Sequence, residues 1–282
     1  MTKNDGKNLT RLNNGSEMPM LGFGAVLETD VVDFNETYTH AWQAGYRLYD
    51  TASSYGNQIA LGKWLKSLDC KREDYWLTSK VAQYEQGYKE TLSAFEKTLK
   101  ELQTDYLDLY LIHWPKEKTF FETWKALEHL YDEGLVRAIG VSNFEANHLD
   151  RLLTKAKIVP AVDQLETHPY FSNHVTHAYL KKLGIQHQAW SPLGHKGAEL
   201  NDPTLEKLAQ KYNKTIAQII LRWQYQNGVA TIPKSTNAQR QRENIDIFDW
   251  QLTAADIESI DLLQKGERVM GAPDANYSED KW

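Results

Sequence analysis

Cys70 is the only cysteine in this 282-residue chain. No intrachain disulfide or cysteine-based zinc site can therefore form, and a reducing cytoplasm is the expected compartment. Positive charge is scarce too: 32 Lys and Arg stand against 38 Asp and Glu, a formal charge of −6. That argues against a nucleic-acid partner but leaves room for a local basic cluster that grips a phosphate. No apolar run approaches the ~20 residues of a membrane span. The polar opening MTKNDGKNLTRLNNG lacks the apolar core of a signal peptide, so a soluble protein without a membrane partner is expected. No low-complexity tract or Pro/Gly/Ser linker interrupts the chain, which reads as one domain over 1–282. G-x-G-x-x-G is missing as well: after Gly22 and Gly24 the third position is Leu27. The dinucleotide fingerprint of a doubly wound sheet is therefore absent.

What the chain does contain is an alternation of short apolar runs and longer amphipathic stretches. The runs are MLGFGAV (20–26), YRLYD (46–50), YWLTSK (75–80), YLDLYLIHW (106–114), VRAIGVS (136–142), PAVDQLE (160–166), IQHQAW (185–190) and GVATIPK (228–234). Several are too apolar for half-exposed strands and suit strands covered on both faces. Between them, Leu92, Phe95, Leu99 and Leu102, and then Trp124, Leu127 and Tyr131, recur at steps of three and four, which gives each helix one apolar stripe. Eight strands alternating with helices predict an α/β fold, a (β/α)8 TIM barrel, with a doubly wound open sheet as the rival.

In such a barrel the chemistry sits at the C-terminal strand ends. Those ends carry Asp50, Lys80, His113, Ser142–Asn143, Gln164, Trp190 and Lys234, and Tyr55 follows Asp50 in DTASSYGN. Reducing a carbonyl by hydride requires a proton donor at the oxygen. A tyrosine with pKa ~10 is a poor donor at neutral pH, and a neighbouring ammonium stabilises its phenolate and lowers that pKa. An aspartate keeps the lysine charged, and a neutral histidine orients the carbonyl by a second hydrogen bond. Taken singly, Asp50 could be a cap, Tyr55 a loop residue, Lys80 a solvated strand end and His113 a core histidine; together at one rim they point to the reaction. His174 and His177, three apart on a helix, could form half a metal site, but with no further ligands nearby they read as a solvated pair, and no metal is expected.

These segments resemble the aldo-keto reductases over nearly the whole chain: LGFG (21–24), DTASSYGN (50–57), TSKV (78–81), DLYLIHWP (108–115), IGVSNF (139–144), AWSPLG (189–194) and IPKSTNAQRQREN (232–244). The bacterial branch containing diketogluconate and glyoxal/methylglyoxal reductases is the most similar. The resemblance implies an NADPH-dependent monomeric reductase of small carbonyls, with Asp50, Tyr55, Lys80 and His113 as its catalytic tetrad. It places Ser142, Asn143 and Gln164 on the nicotinamide carboxamide, Trp190 against the nicotinamide ring, and Ser191 and Leu193 near the pyrophosphate. Lys234, Ser235, Thr236, Asn237 and Arg240 would take the 2′-phosphate side, and Glu243 and Asn244 the adenine.

The residues add their own argument for a phosphate site. Thr236 or Asn237 can cap a helix whose first turn holds Arg240, a cation opposing the helix dipole by ~0.3–1 kcal/mol unless an anion binds there. Four positions depart from the family pattern: Ala25 where Thr is common, Gln58 for Glu, and Thr236-Asn237 for Val-Thr. Phe23 and Trp114 are expected to line an open substrate pocket, together with His113, and Met270 or Trp282 to approach it from the C-terminal tail. The alternative function is a cofactor-binding subunit of this family with little turnover.

Overall fold

The computed structural model describes residues 8–26, 33–194 and 199–273. It begins with a hairpin, β1 (Leu9–Arg11) and β2 (Glu17–Pro19). There follow β3 (Phe23–Gly24), α1 (Phe34–Ala44), β4 (Leu48–Asp50), α2 (Gln58–Ser67), β5 (Trp76–Val81) and α3 (Tyr88–Leu102). Next come β6 (Leu107–Ile112), α4 (Phe120–Asp132), β7 (Val136–Ser142), α5 (Ala146–Leu153), β8 (Val162–Glu166), α6 (His174–Leu183) and β9 (Gln186–Trp190). The chain continues through α7 (Pro203–Tyr212), α8 (Ile216–Gln226), β10 (Ala230–Thr231), α9 (Ala238–Ile245) and α10 (Ala254–Asp261). Several helices open on a side-chain cap: Asp33, Asp202, Thr215, Asn237 and Thr253 each accept a backbone N–H of the first turn, satisfying donors that the helix leaves free.

Each of the eight apolar runs overlaps one of the strands β3 to β10, and these pair in parallel in sequence order. The two ends of that sheet meet. Leu21 bridges Thr231, Gly22 N donates to Thr231 O at 2.8 Å, and Thr231 N donates to Met20 O at 2.8 Å. Sequential order plus closure makes a (β/α)8 barrel and excludes the doubly wound rival, whose strand order reverses at a switch point.

The strand period of two sorts side chains between barrel interior and helix layer. Leu48, Trp76, Leu109, Leu111, Ala138 and Val162 form the interior cluster. The N-terminal hairpin adds Leu12 and Met18 to that cluster. It is held by Asn13 donating to Pro160 O and Asn14 donating to Arg137 O, both at 2.9 Å. Tyr49, Leu77, Tyr110, Ile139 and Leu165 face outward and share a second cluster with Phe95, Trp124 and Leu149 of the helices. Continuing the inward set by steps of two leads from Leu48 to Asp50, from Trp76 through Thr78 to Lys80, from Leu111 to His113 and from Val162 to Gln164. The polar residues therefore form the next layer above an apolar stack, at the C-terminal mouth.

Phe23 departs from expectation. It is fully buried on the helix side, edge-on to Tyr38 at 6.1 Å and Tyr46 at 5.7 Å between ring centroids, and it lines no part of the cleft. Adjacent strand residues face opposite ways, and here Gly24 takes the inward side. Phe23→Ala should then behave as a core truncation and cost about 3–5 kcal/mol of stability. Chemical denaturation measures this, and a cost under about 1 kcal/mol would mean the ring is not part of that core.

Candidate active site

The mouth of the barrel opens into a cleft of about 810 Å³. At its floor the Lys80 ammonium, fully buried, forms an ion pair with Asp50 Oδ1. It also donates to Thr51 O at 3.0 Å and reaches Tyr55 Oη at 3.4 Å. The other Asp50 oxygen accepts from Gln164 Nε2 at 2.7 Å. Tyr55 is delivered by a single helical turn, Ser53–Tyr55, that ends on Gly56 at φ +68°. Its hydroxyl lies 3.5 Å from His113 Nε2, and the two rings meet edge to face at 5.5 Å. Ser54 Oγ lies 3.5 Å from the other nitrogen, His113 Nδ1.

Burial and charge set the protonation states. Burial works against the Lys80 charge, but Asp50 and Tyr55 outweigh it and raise the pKa. Burial pushes the Asp50 carboxyl up, opposed by Lys80 and by the hydrogen bond from Gln164. Burial also dominates at Tyr55 and raises its pKa, although Lys80 pulls it down. The expected lowering by Lys80 is thus one contribution within a net rise, because desolvating a phenolate costs more than the ammonium returns. Burial, then the Lys80 charge, holds His113 well below the ordinary imidazole range. At neutral pH the floor therefore carries an ion pair, a protonated phenol and a neutral imidazole.

The structure brings Ser142, Asn143, Gln164 and Trp190 into the same cleft. Asn143, in the left-handed region at φ +63°, donates to His113 O at 3.0 Å and accepts from Trp190 Nε1 at 2.9 Å. Ser142 Oγ donates to Gln164 O at 2.8 Å. Trp114 lies edge-on to Trp190 at 6.4 Å. Ser191, Leu193 and Lys234 continue the lining at one end. Ser235, Thr236, Asn237 and Arg240 extend beyond the cleft along the entry to α9. Asn237 is the cap, accepting from Arg240 N at 3.0 Å, and buried Gln241 donates to Ser235 O at 2.7 Å. Asn244 is buried on that helix. Glu243 accepts from Gln239 at 2.8 Å and lines a separate depression with Lys214.

Some features were not foreseen in the sequence. Gln188 is buried in the barrel and accepts from Gln164 Nε2 at 2.8 Å; its alternation with His187 in IQHQAW was the available signal. Tyr84, largely exposed, and Val269 line the cleft with no motif to announce them. Of the two tail candidates, Met270 lines the cleft, and Trp282 lies outside the described residues. Of the expected solvated pair, His174 is exposed and His177 is half-buried. His174 contacts Asp261 at 3.2 Å, and His177 Nδ1 lies 3.1 Å from His187 Nδ1. No group of three metal-ligating side chains occurs among the described residues, and none of the helices described there is long and apolar enough to cross a membrane.

Residues 20–265 match the Aldo/keto reductase family. The glyoxal reductase of Bacillus subtilis (strain 168) is 47% identical over 268 residues, covering 95% of this chain and 97% of its own. Among solved structures, an aldo-keto reductase from a Medee basin deep-sea metagenome library superposes with a TM-score of 0.91 at 41% identity, over 94% of this chain and 98% of its own. A Bombyx mori aldo-keto reductase in complex with NADP gives 0.88 at 34% identity, over 94% and 95%.

Proposed function

The chain belongs to the aldo/keto reductase family, and from that premise we propose that it reduces small aldehydes, ketones and dicarbonyls to alcohols with NADPH. The observation that carries this reading is the Tyr55 hydroxyl, held at the cleft floor 3.4 Å from Lys80 Nζ and 3.5 Å from His113 Nε2. The residues present suit a dinucleotide. Gly24 leaves the wall bare where a Cβ would come within 2.9 Å of Ile232 O. The half-buried Trp190 ring offers an apolar face in the cleft. Lys234 and Arg240 are both exposed beside the start of α9, where a helix dipole and basic side chains favour phosphate.

Bound there, NADPH supplies the hydride that the carbonyl carbon accepts. Tyr55 gives its phenolic proton to the carbonyl oxygen, and the Lys80 ammonium stabilises the phenolate left behind. Asp50 keeps Lys80 charged and fixed. Ser54 is placed to donate to His113 Nδ1, which suits the tautomer with the proton on Nε2, facing the cleft. That N–H holds the carbonyl oxygen for transfer. The long Tyr55 and His113 distances match a site whose catalytic hydrogen bonds tighten around a substrate. As for substrate size, only residues 113–119 join β6 to α4, so that loop walls off little of the cleft. Trp114 and Trp190 offer a short apolar wall, enough for small carbonyls and too little to bury a steroid. The relative named glyoxal reductase supports the dicarbonyl preference.

Tyr55→Phe keeps the ring and removes the proton. NADPH-dependent reduction of methylglyoxal should fall ~10²–10⁴-fold, while NADPH still quenches tryptophan fluorescence. Near-normal turnover would remove Tyr55 from the mechanism; a wild type that binds NADPH but reduces none of the carbonyls would instead favour the low-turnover binding subunit. Arg240→Ala should weaken NADPH by about ten- to hundredfold, the loss of one charge-assisted contact of ~1.5–3 kcal/mol, and leave NADH little changed. Equal weakening of both cofactors would show that Arg240 does not read the 2′-phosphate. Across a panel, kcat/KM should favour small dicarbonyls and aromatic aldehydes over sugars and steroids; a clear preference for a steroid would refute the open pocket.

A further inference from the structure

At the C-terminal end of β8, and outside the catalytic floor, three ionisable side chains are buried in a row. His168 Nε2 contacts Glu166 Oε1 at 3.0 Å, and His168 Nδ1 contacts Glu199 Oε1 at 2.9 Å. Two carboxylates flanking one imidazole in a dry site are tolerable only if the imidazole is charged. Burial opposes that charge, but the hydrogen bonds and charges of Glu166 and Glu199 outweigh it and raise the His168 pKa.

The outer ends of the row reach different walls of the cleft. Glu166 Oε1 accepts the backbone N–H of Val269, and Oε2 accepts that of Met270 at 3.3 Å. Val269 and Met270 are the tail residues that line the cleft. At the other end the Glu199 carboxylate packs on Gly194, where an added Cβ would sit 2.0 Å from it. Gly194 closes the turn from Ser191 that lines the cleft on the side of Lys234. The tail is otherwise held on the segment after β8. The N–H groups of Lys265, Gly266 and Glu267 converge on Tyr170 O, and Arg268 pairs with Glu145 over the Phe171 ring.

We propose that Glu166 is a specificity-determining positioning residue that, through His168 and Glu199, makes the Val269–Met270 wall of the substrate pocket depend on the Ser191–Gly194 turn on the cofactor side. This rests on the reading of the cleft as a reductase site. Displacing the turn takes the Glu199 charge from His168 and loosens its hold on Glu166, whose two carboxylate oxygens accept the two tail amides. Seating a cofactor against the turn therefore firms the wall that the substrate then meets.

The experiment compares wild type with Glu166→Gln in three ways. NADPH binding is read first, by fluorescence. Tryptic cleavage after Lys265 and Arg268 is then timed with and without saturating NADPH: the cofactor should protect the wild-type tail and protect the variant much less. Finally, the variant should raise KM for an aromatic aldehyde about tenfold, with kcat on methylglyoxal nearly unchanged. Truncation after Glu267 should give the same KM shift, and Glu166→Gln should add nothing in the truncated chain. Should the Gln variant not fold, Glu166→Asp keeps the charge on His168 while withdrawing from the tail amides, and should give a smaller shift of the same kind. Equal protection of both proteins, a uniform loss of kcat, or additivity with truncation would each overturn the proposal while leaving the reductase reading intact. Failure of NADPH to bind the wild type would instead remove that reading, and the coupling with it.

Discussion

A charged lysine with no exposed surface, set in the mouth of a barrel whose lower layers are hydrocarbon, is the constraint around which the rest of the mouth is arranged. An ammonium so placed loses its hydration and must be repaid by fixed acceptors. Lys80 finds them in Asp50, Thr51 O and Tyr55. Asp50 in turn needs a second donor and finds it in Gln164, which is held by Gln188. Asp50, Lys80, Gln164 and Gln188 are polar side chains on the inward faces of β4, β5, β8 and β9, so parallel register is what brings them together. In β4–β5, Asp50 stands opposite Thr78, and in β7–β8, Ser142 stands opposite Gln164. A slip of one residue in any strand would turn its polar member into the helix layer and leave a buried charge without a partner.

How much of this could be read from sequence follows from which signals are local. The eight strands were legible because each is a run of apolar residues covered on both faces, bounded by turn residues. The inward-facing polar residues were legible because they end those runs. The hairpin β1–β2 was not, since LTR and EMP are three residues each and carry no alternation. The direction of Phe23 was lost for a similar reason: β3 spans only Phe23–Gly24, and two residues cannot establish which parity faces in. The motif that contains them resembles a family without saying which member of the pair reaches the cleft. The net rise at Tyr55 was illegible because a neighbouring lysine can be inferred from strand ends, whereas the depth of burial around it cannot. The contacts of Glu166 with Val269 and Met270 join residues more than a hundred positions apart, with no motif at either end.

The second tryptophan shows how the two sides of the cleft are tied together. Trp190 ends β9, and its indole N–H is fixed on Asn143. Asn143 tolerates a left-handed backbone because its short amide side chain suits that conformation, and its own N–H holds the carbonyl of His113. A ring on which a planar ligand can stack is thus connected, through one amide, to the backbone of the residue that faces the tyrosine hydroxyl.

On the proposed reading this connection has a mechanistic consequence. Hydride transfer needs the ring that gives the hydride and the phenol that gives the proton to be placed relative to one another within fractions of an ångström. Gln164 serves both placements: its N–H group fixes Asp50 and through it Lys80 and Tyr55, and the residue itself lines the cleft. An error in the Gln164 position would displace donor and acceptor groups together and preserve their spacing. Two independent anchors would instead let the spacing drift. On that reading one shared side chain sets the spacing of the reacting groups, and it is itself tied to buried Gln188 at 2.8 Å.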